Sequence, residues 1–106
     1  MDQTNVKQTI AISSTDTLQK YVGTTATDIG VAKIKAIQAQ SSAADGSVKI
    51  YDATDATTAS TLVFEAKWGT AANEDFTFYL PQNGIRCKTA MHAVLSNCDF
   101  LVVTFD

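Results

Sequence analysis

Histidine, cysteine and clustered positive charge are scarce in this chain of 106 residues, and each scarcity closes off a class of chemistry. The single histidine, His92, would have to serve any Ser–His–Asp or Cys–His site. One histidine and two separated cysteines match no zinc-ligand spacing. Asp45, Asp52 and Asp55 cluster near one loop, but the D-x-D-x-D-G order of a calcium loop is missing. Glu65, Glu74 and Asp75 flank a strand and a loop with nothing beside them to raise a carboxyl pKa. GTTAT and WGTAAN carry one glycine each, too few to cradle a phosphate. Eight basic against eleven acidic residues leave a formal charge of −3, the wrong balance for a nucleic-acid backbone. No apolar run approaches the roughly 20 residues that cross a bilayer. The opening MDQTNVKQTI has no basic segment leading into an apolar one, so a secretory signal peptide is not expected. The residues therefore predict no catalytic, cofactor-binding or metal site, no nucleic-acid or membrane partner, and no enzyme.

Leucine is also scarce, at 5 residues against 15 alanines and 15 threonines. Alanine buries little area, so the core has to come from Ile, Val, Phe, Trp and Tyr, while threonine suits strands and solvated sheet faces. Alternation of apolar and polar residues locates the strands. TIAIS at 9–13 is a short one, and 16–22 a weak one that GTTAT at 23–27 breaks. Asp45-Gly46 signals a hairpin turn into a strand over 47–52, with Val48 and Ile50 inward and Lys49 and Tyr51 outward. After a loop at 53–60, residues 61–68 alternate most cleanly, with Leu62, Phe64, Ala66 and Trp68 on one face. Phe76, Phe78 and Leu80 align on the next strand, which Pro81 stops. Residues 1–8 are polar and read as an N-terminal arm.

Residues 85–95 alternate again after a turn at Pro81, Asn83 and Gly84. Ile85, Cys87, Met91, Ala93 and Leu95 face one way; Arg86, Lys88, Ala90, His92 and Val94 face the other. With a turn at 96–99 and the run Phe100–Phe105, this predicts a closing hairpin with Leu95 opposite Phe100. Such a hairpin puts Cys87 far up a strand and Cys98 at the tip, roughly 30 Å apart at about 3.3 Å per residue. That is too far for a disulfide, so two free thiols, Cys87 in the core, and intracellular synthesis are expected.

Residues 28–44 read two ways. Ala, Lys and Gln favour helix, and Val31, Ile34 and Ile37 are spaced by three. Against that, Ala32, Ile34 and Ala36 alternate with Lys33 and Lys35, and the phase shift at Ala36-Ile37 fits a β-bulge. With about seven or eight short strands and turn signals every 8–12 residues, the fold class is all-β. The expected architecture is one antiparallel β-sandwich domain, jelly-roll-like. Its expected core is Ile10, Ile12, Ile34, Val48, Ile50, Leu62, Phe64, Trp68, Phe76, Phe78, Leu80, Ile85, Met91, Leu101, Val103 and Phe105. The candidate partner contacts are a basic stripe, Arg86, Lys88 and His92, and an apolar set on otherwise polar faces, Tyr51, Val63, Tyr79 and Val94.

From residue 31 to 106 the chain resembles small β-sandwich virion structural proteins of tailed bacteriophages, of the decoration or tail-associated kind. The likeness rests on VAKIKAI at 31–37, the Asp45-Gly46 turn into GSVKIYDATD, and TLVFEAKW at 61–68. It continues through the F-x-F-x-L-P step at 76–81, NGIR at 83–86 and NCDFLVVTF at 97–105. These are strand patterns, so the likeness transfers no site residues. It implies a strand over 31–40 and a non-enzymatic role, foremost as a capsid decoration or cement protein stabilising the shell. It also implies a homo-oligomer, contact with virion proteins such as the major capsid protein, and residence in the virion after synthesis in a bacterial cytoplasm. A tail or baseplate component is the alternative within that class. A carbohydrate-binding β-sandwich module is the alternative outside it, stacking sugars on Tyr21, Tyr51, Trp68 and Tyr79; the expected burial of Trp68 counts against it.

Overall fold

The computed structural model describes residues 7–81 and 84–106. Among the described residues eleven strands run in chain order: β1 (Lys7–Gln8), β2 (Asp16–Thr17), β3 (Gln19–Val22), β4 (Thr25–Asp28), β5 (Ala32–Ser41), β6 (Gly46–Tyr51), β7 (Leu62–Trp68), β8 (Asp75–Tyr79), β9 (Ile85–Cys87), β10 (His92–Ser96) and β11 (Cys98–Phe105). Sheet A has the order β1-β11-β5-β8, with β9 also on β5; sheet B has the order β2-β10-β6-β7. All these pairings are antiparallel. The β3–β4 hairpin stands apart as a third, two-stranded sheet.

β8 and β9 share one edge of β5, because β11 occupies the other edge through Ile34. Counted as one interrupted strand, they give each sheet four strand lines. The chain then winds between the two sheets in jelly-roll order, two Greek keys in which early strands lie beside late ones. The all-β sandwich expected from the strand spacing is the fold, with the β3–β4 hairpin inserted between β2 and β5.

Residues 32–41 are strand, and the phase shift is a bulge. Thr104 pairs with Ala36 and Phe105 with Ile34, so Lys35 is the extra residue. On the other side the same residue stands at the break between β8 and β9, since Tyr79 pairs with Ala36 and Ile85 with Ile34. The bulge lets Ile34 and Ile37 both point inward, and both are fully buried.

Several expectations need correction. The closing hairpin does not form: β10 lies in sheet B and β11 in sheet A, so Leu95 pairs with Val48 and not with Phe100. Residues 85–95 are not one strand, because the chain crosses from sheet A to sheet B between Cys87 and His92. Asp45-Gly46 makes its turn, with Asp45 at φ 63°, but it joins strands in different sheets. Residues 25–27, read as a break, belong to β4. TIAIS follows β11 through the bonds of Thr9 and Ile12 without forming a regular strand. Of the expected arm, Lys7 and Gln8 pair with β11, and residues 1–6 lie outside the described residues, as do 82–83 of the Pro81 turn.

The core holds Ile34, Ile37, Val48, Ile50, Met91, Leu101, Val103 and Phe105, joined by Leu18, Ile29, Cys87 and Ala93, which are just as buried. Phe64, Trp68, Phe76, Leu80, Ile85 and Ile12 pack against it half-buried. Leu62 and Phe78 do not belong to it, at 37% and 42% exposed: the register shift in β7 pairs Leu62 with outward Tyr51 and turns it to the outer face, while Phe78 lies on β8, the last strand of its sheet, whose flank faces water.

Three sheet-crossing connections meet at one end of the sandwich: 41–46, 68–75 and 96–98. The backbone bends sharply there, with Asp45, Asn73 and Asn97 all at positive φ. Ser41, fully buried, holds the three together. Its hydroxyl donates to the Ala71 carbonyl at 2.8 Å and accepts the Glu74 N–H at 3.0 Å. Ser42 N–H donates to the Asn97 carbonyl, and the Asn97 amide donates to the Ala44 carbonyl, both at 2.9 Å. Ser41→Ala strips the acceptor from the Glu74 N–H and should cost about 1–3 kcal/mol, read as a lowered denaturant midpoint at unchanged m-value.

Candidate functional site

The basic stripe is not one strand face. Arg86 is exposed on β9 in sheet A, opposite Lys33. Lys88 is exposed in the crossing that follows. His92 is half-buried on sheet B, level with Thr17, Tyr51 and Leu62 in one cross-strand row. The His92 Nδ1 lies 3.0 Å from the Thr17 hydroxyl. Near it, Asp55 is held below the usual carboxyl range, chiefly by the backbone N–H and hydroxyl of Thr57, with a smaller contribution from His92.

The apolar set also divides. Tyr51 and Val94 share the outer face of sheet B, one row apart. Tyr79, 77% exposed, is on the outer face of sheet A, level with Ala36 and Thr104. Val63 sits at the register shift of β7 and packs against the core.

What fixes the crossing at Lys88 is a residue that strand patterning passed over. The Asp52 carboxylate, at the end of β6, accepts the backbone N–H groups of Lys88 (3.0 Å), Thr89 (2.8 Å) and Ala90 (3.4 Å). Burial pushes its pKa up, but those three bonds and the nearby Lys88 charge outweigh burial and leave it below the ordinary 3.8. The bolt also explains Ala90, expected outward yet 2% exposed, since the crossing turns it into the core. No local signal announces it: the aspartate and its partners are 36 to 38 residues apart.

Both cysteines are free and buried. Burial first, then the Asp52 charge, pushes the Cys87 thiol up to about 12. Burial also raises Cys98, whose thiol donates to the Phe100 carbonyl at 3.1 Å. Neither forms a thiolate near neutrality. A thiol reagent at pH 8 should therefore label neither cysteine in the folded protein and both in denaturant; labelling of the native protein within minutes would contradict this packing.

The aromatics divide by exposure. Trp68 is half-buried against Phe76, ring centroids 5.0 Å apart, and its Nε1–H donates to the Glu74 carbonyl at 3.0 Å. One side of it opens on a groove of about 500 Å³ lined by Asp45, Ser47, Lys67, Trp68, Gly69 and Thr70. Tyr21, 64% exposed, stands on the β3–β4 hairpin, where a second groove of about 670 Å³ separates Lys20–Val22 from Lys7–Ala11. Trp68, Tyr21 and Tyr79 thus belong to separate surfaces. Among the described residues, no three His, Cys, Asp or Glu side chains lie close enough to share a metal ion. Comparison with known proteins returns no match among family models, curated proteins or solved structures.

Proposed function

We propose that this protein is a structural component of a tailed-bacteriophage virion, foremost a capsid decoration protein that stabilises the shell. The observation that carries the reading is the jelly-roll strand order, a topology found in viral capsid and lectin domains alike. Its strands from β5 onward fall within residues 31–106, the span whose strand pattern resembles small virion proteins; β1 and β2 precede that span. A fold by itself does not give a function. Here the strand pattern over residues 31–106 is what supports a virion role over the sugar-binding one.

The mechanism is added contact. A domain seated across subunit boundaries buries area that the shell alone lacks; a specific contact buries about 1,600 Å² in total, within reach of a domain this size. Many copies acting together multiply the effect. The outer faces of the two sheets are the surfaces available, one carrying Tyr79 and Arg86, the other Tyr51, His92 and Val94.

The test is to mix purified protein with shells that lack it and count bound copies. Saturation in proportion to the number of shell subunits supports decoration. Binding in small multiples of three or six moves the protein to the tail or baseplate. No binding to any particle part removes the virion reading. The groove beside Trp68 favours the sugar-binding alternative; a glycan titration that shifts Trp68 fluorescence, and that fails in Trp68→Ala, would establish it instead.

A further inference from the structure

The two flanks of the sandwich are built differently. On one, the last strands among the described residues are β1, which starts where the described residues start, and β2, of two residues; very short edge strands such as β2 are a common protection against unwanted pairing. On the other, the last strands are β7, with seven residues, and β8, with five. Among the described residues, neither has a strand neighbour on its outer side. Leu62, Phe78 and Tyr79, three of the six exposed large hydrophobic residues, lie on these two strands.

We propose that two copies of this chain join along this flank, β7 against β7 and β8 against β8, antiparallel about a single two-fold axis. Each strand is complementary to itself in that arrangement. With the axis at Ala66, Glu65 stands opposite Lys67 of the second copy and Lys67 opposite its Glu65, two opposite-charge pairs on the outer face. Phe64 stands opposite Trp68 of the second copy on the inner face. With the axis at Thr77, Phe76 stands opposite Phe78 of the second copy. A lone lysine on an edge strand would discourage pairing; here the glutamate two residues earlier answers it across the axis, and opposite charges directly across a strand pair are favourable.

The ring contacts show that one axis serves both strands. Phe64 meets Phe78 with centroids 5.7 Å apart, and Trp68 meets Phe76 at 5.0 Å. Ala66, midway between Phe64 and Trp68, therefore lies over Thr77, midway between Phe76 and Phe78. A two-fold perpendicular to stacked sheets passes through both positions together. The product is an isologous dimer in which both four-line sheets continue across the junction into eight. This inference does not depend on the virion reading and holds or fails in the purified protein alone.

The test is sedimentation of the full chain over a wide concentration range, with hydrogen exchange on the same samples. The wild type should sediment as a dimer, with the β7 amides that point away from β6 protected. Lys67→Glu leaves the Lys49–Glu65 pair (3.9 Å) in place and sets glutamate against glutamate twice across the axis. It should weaken the dimer by on the order of tenfold or more, with loss of that protection and an unchanged circular dichroism spectrum. The double variant Glu65→Lys/Lys67→Glu restores opposite charges across the axis and should restore the dimer. A wild type that stays monomeric throughout overturns the proposal. So does a dimer that Lys67→Glu leaves unchanged, or one that the double variant fails to recover.

Discussion

Gly84→Ala should lower the thermal midpoint by about 15 °C. Gly84 closes the excursion between β8 and β9 at φ +72°, where an L side chain is strained. The surroundings are worse than the dihedral. An added Cβ would lie 2.0 Å from the Ile34 carbonyl oxygen, and that atom belongs to the backbone of the central strand β5. It cannot swing away as a long side chain would. Left-handed strain and overpacking together amount to about 3 kcal/mol, most of it lost by moving β9 off β5. Gly30→Ala is the control, since its Cβ would meet nothing within 4 Å; it should shift stability by less than about 0.5 kcal/mol. A Gly84→Ala melt that matches the control would mean that the excursion is not held against β5.

Asp52→Ala should cost about 2 kcal/mol at neutral pH, because it leaves the N–H groups of Lys88, Thr89 and Ala90 without their shared acceptor. The figure is at the lower part of the charged-bond range because water reaches the carboxylate. The loss should depend on pH in a definite direction. The folded carboxyl holds its proton more weakly than the unfolded one, so acid favours the unfolded chain. The contribution of Asp52 is complete above the ordinary value of 3.8 and disappears as pH falls through the lower folded value. Denaturant melts of wild type and variant should therefore differ most at pH 7 and draw together as the pH falls below 3.8. A gap that stays constant across that range would show that shape, not charge, holds the crossing.

These two residues also mark where strand patterning stops being informative. Alternation located β7 to within a residue and found the bulge in β5, because both lie on strands with one face in the core. It failed at 85–95 for a physical reason. In a sandwich both sheets aim their inner faces at the same core, so a chain that rounds the end keeps its inward residues inward. Cys87 and Met91 are both fully buried although they flank the crossing, and nothing in the parity betrays the change of sheet. The resemblance and the pattern gave the class of fold, but the pairing partners depend on contacts between residues far apart in sequence. Leu18 and Ile29 were missed because each is a lone apolar residue at the foot of a polar hairpin, where no period exists to detect. The contact residues suffered most: Arg86, Lys88 and His92 alternate in sequence but stand on different parts of the surface.

The place of β11 in sheet A bears on how the chain matures. It follows every other described strand in sequence, yet it lies between β1 and β5 and supplies Leu101, Val103 and Phe105 to the core. A ribosome-bound chain that has emerged only as far as β10 has no centre to its first sheet, and its inner apolar faces stay open to water. Folding of this sandwich must await β11 and then close contacts between residues nearly a hundred positions apart, such as Lys7 with Phe105. Long-range closure of this kind is slow. The nascent protein thus passes through an exposed, aggregation-prone interval that a chaperone would shorten.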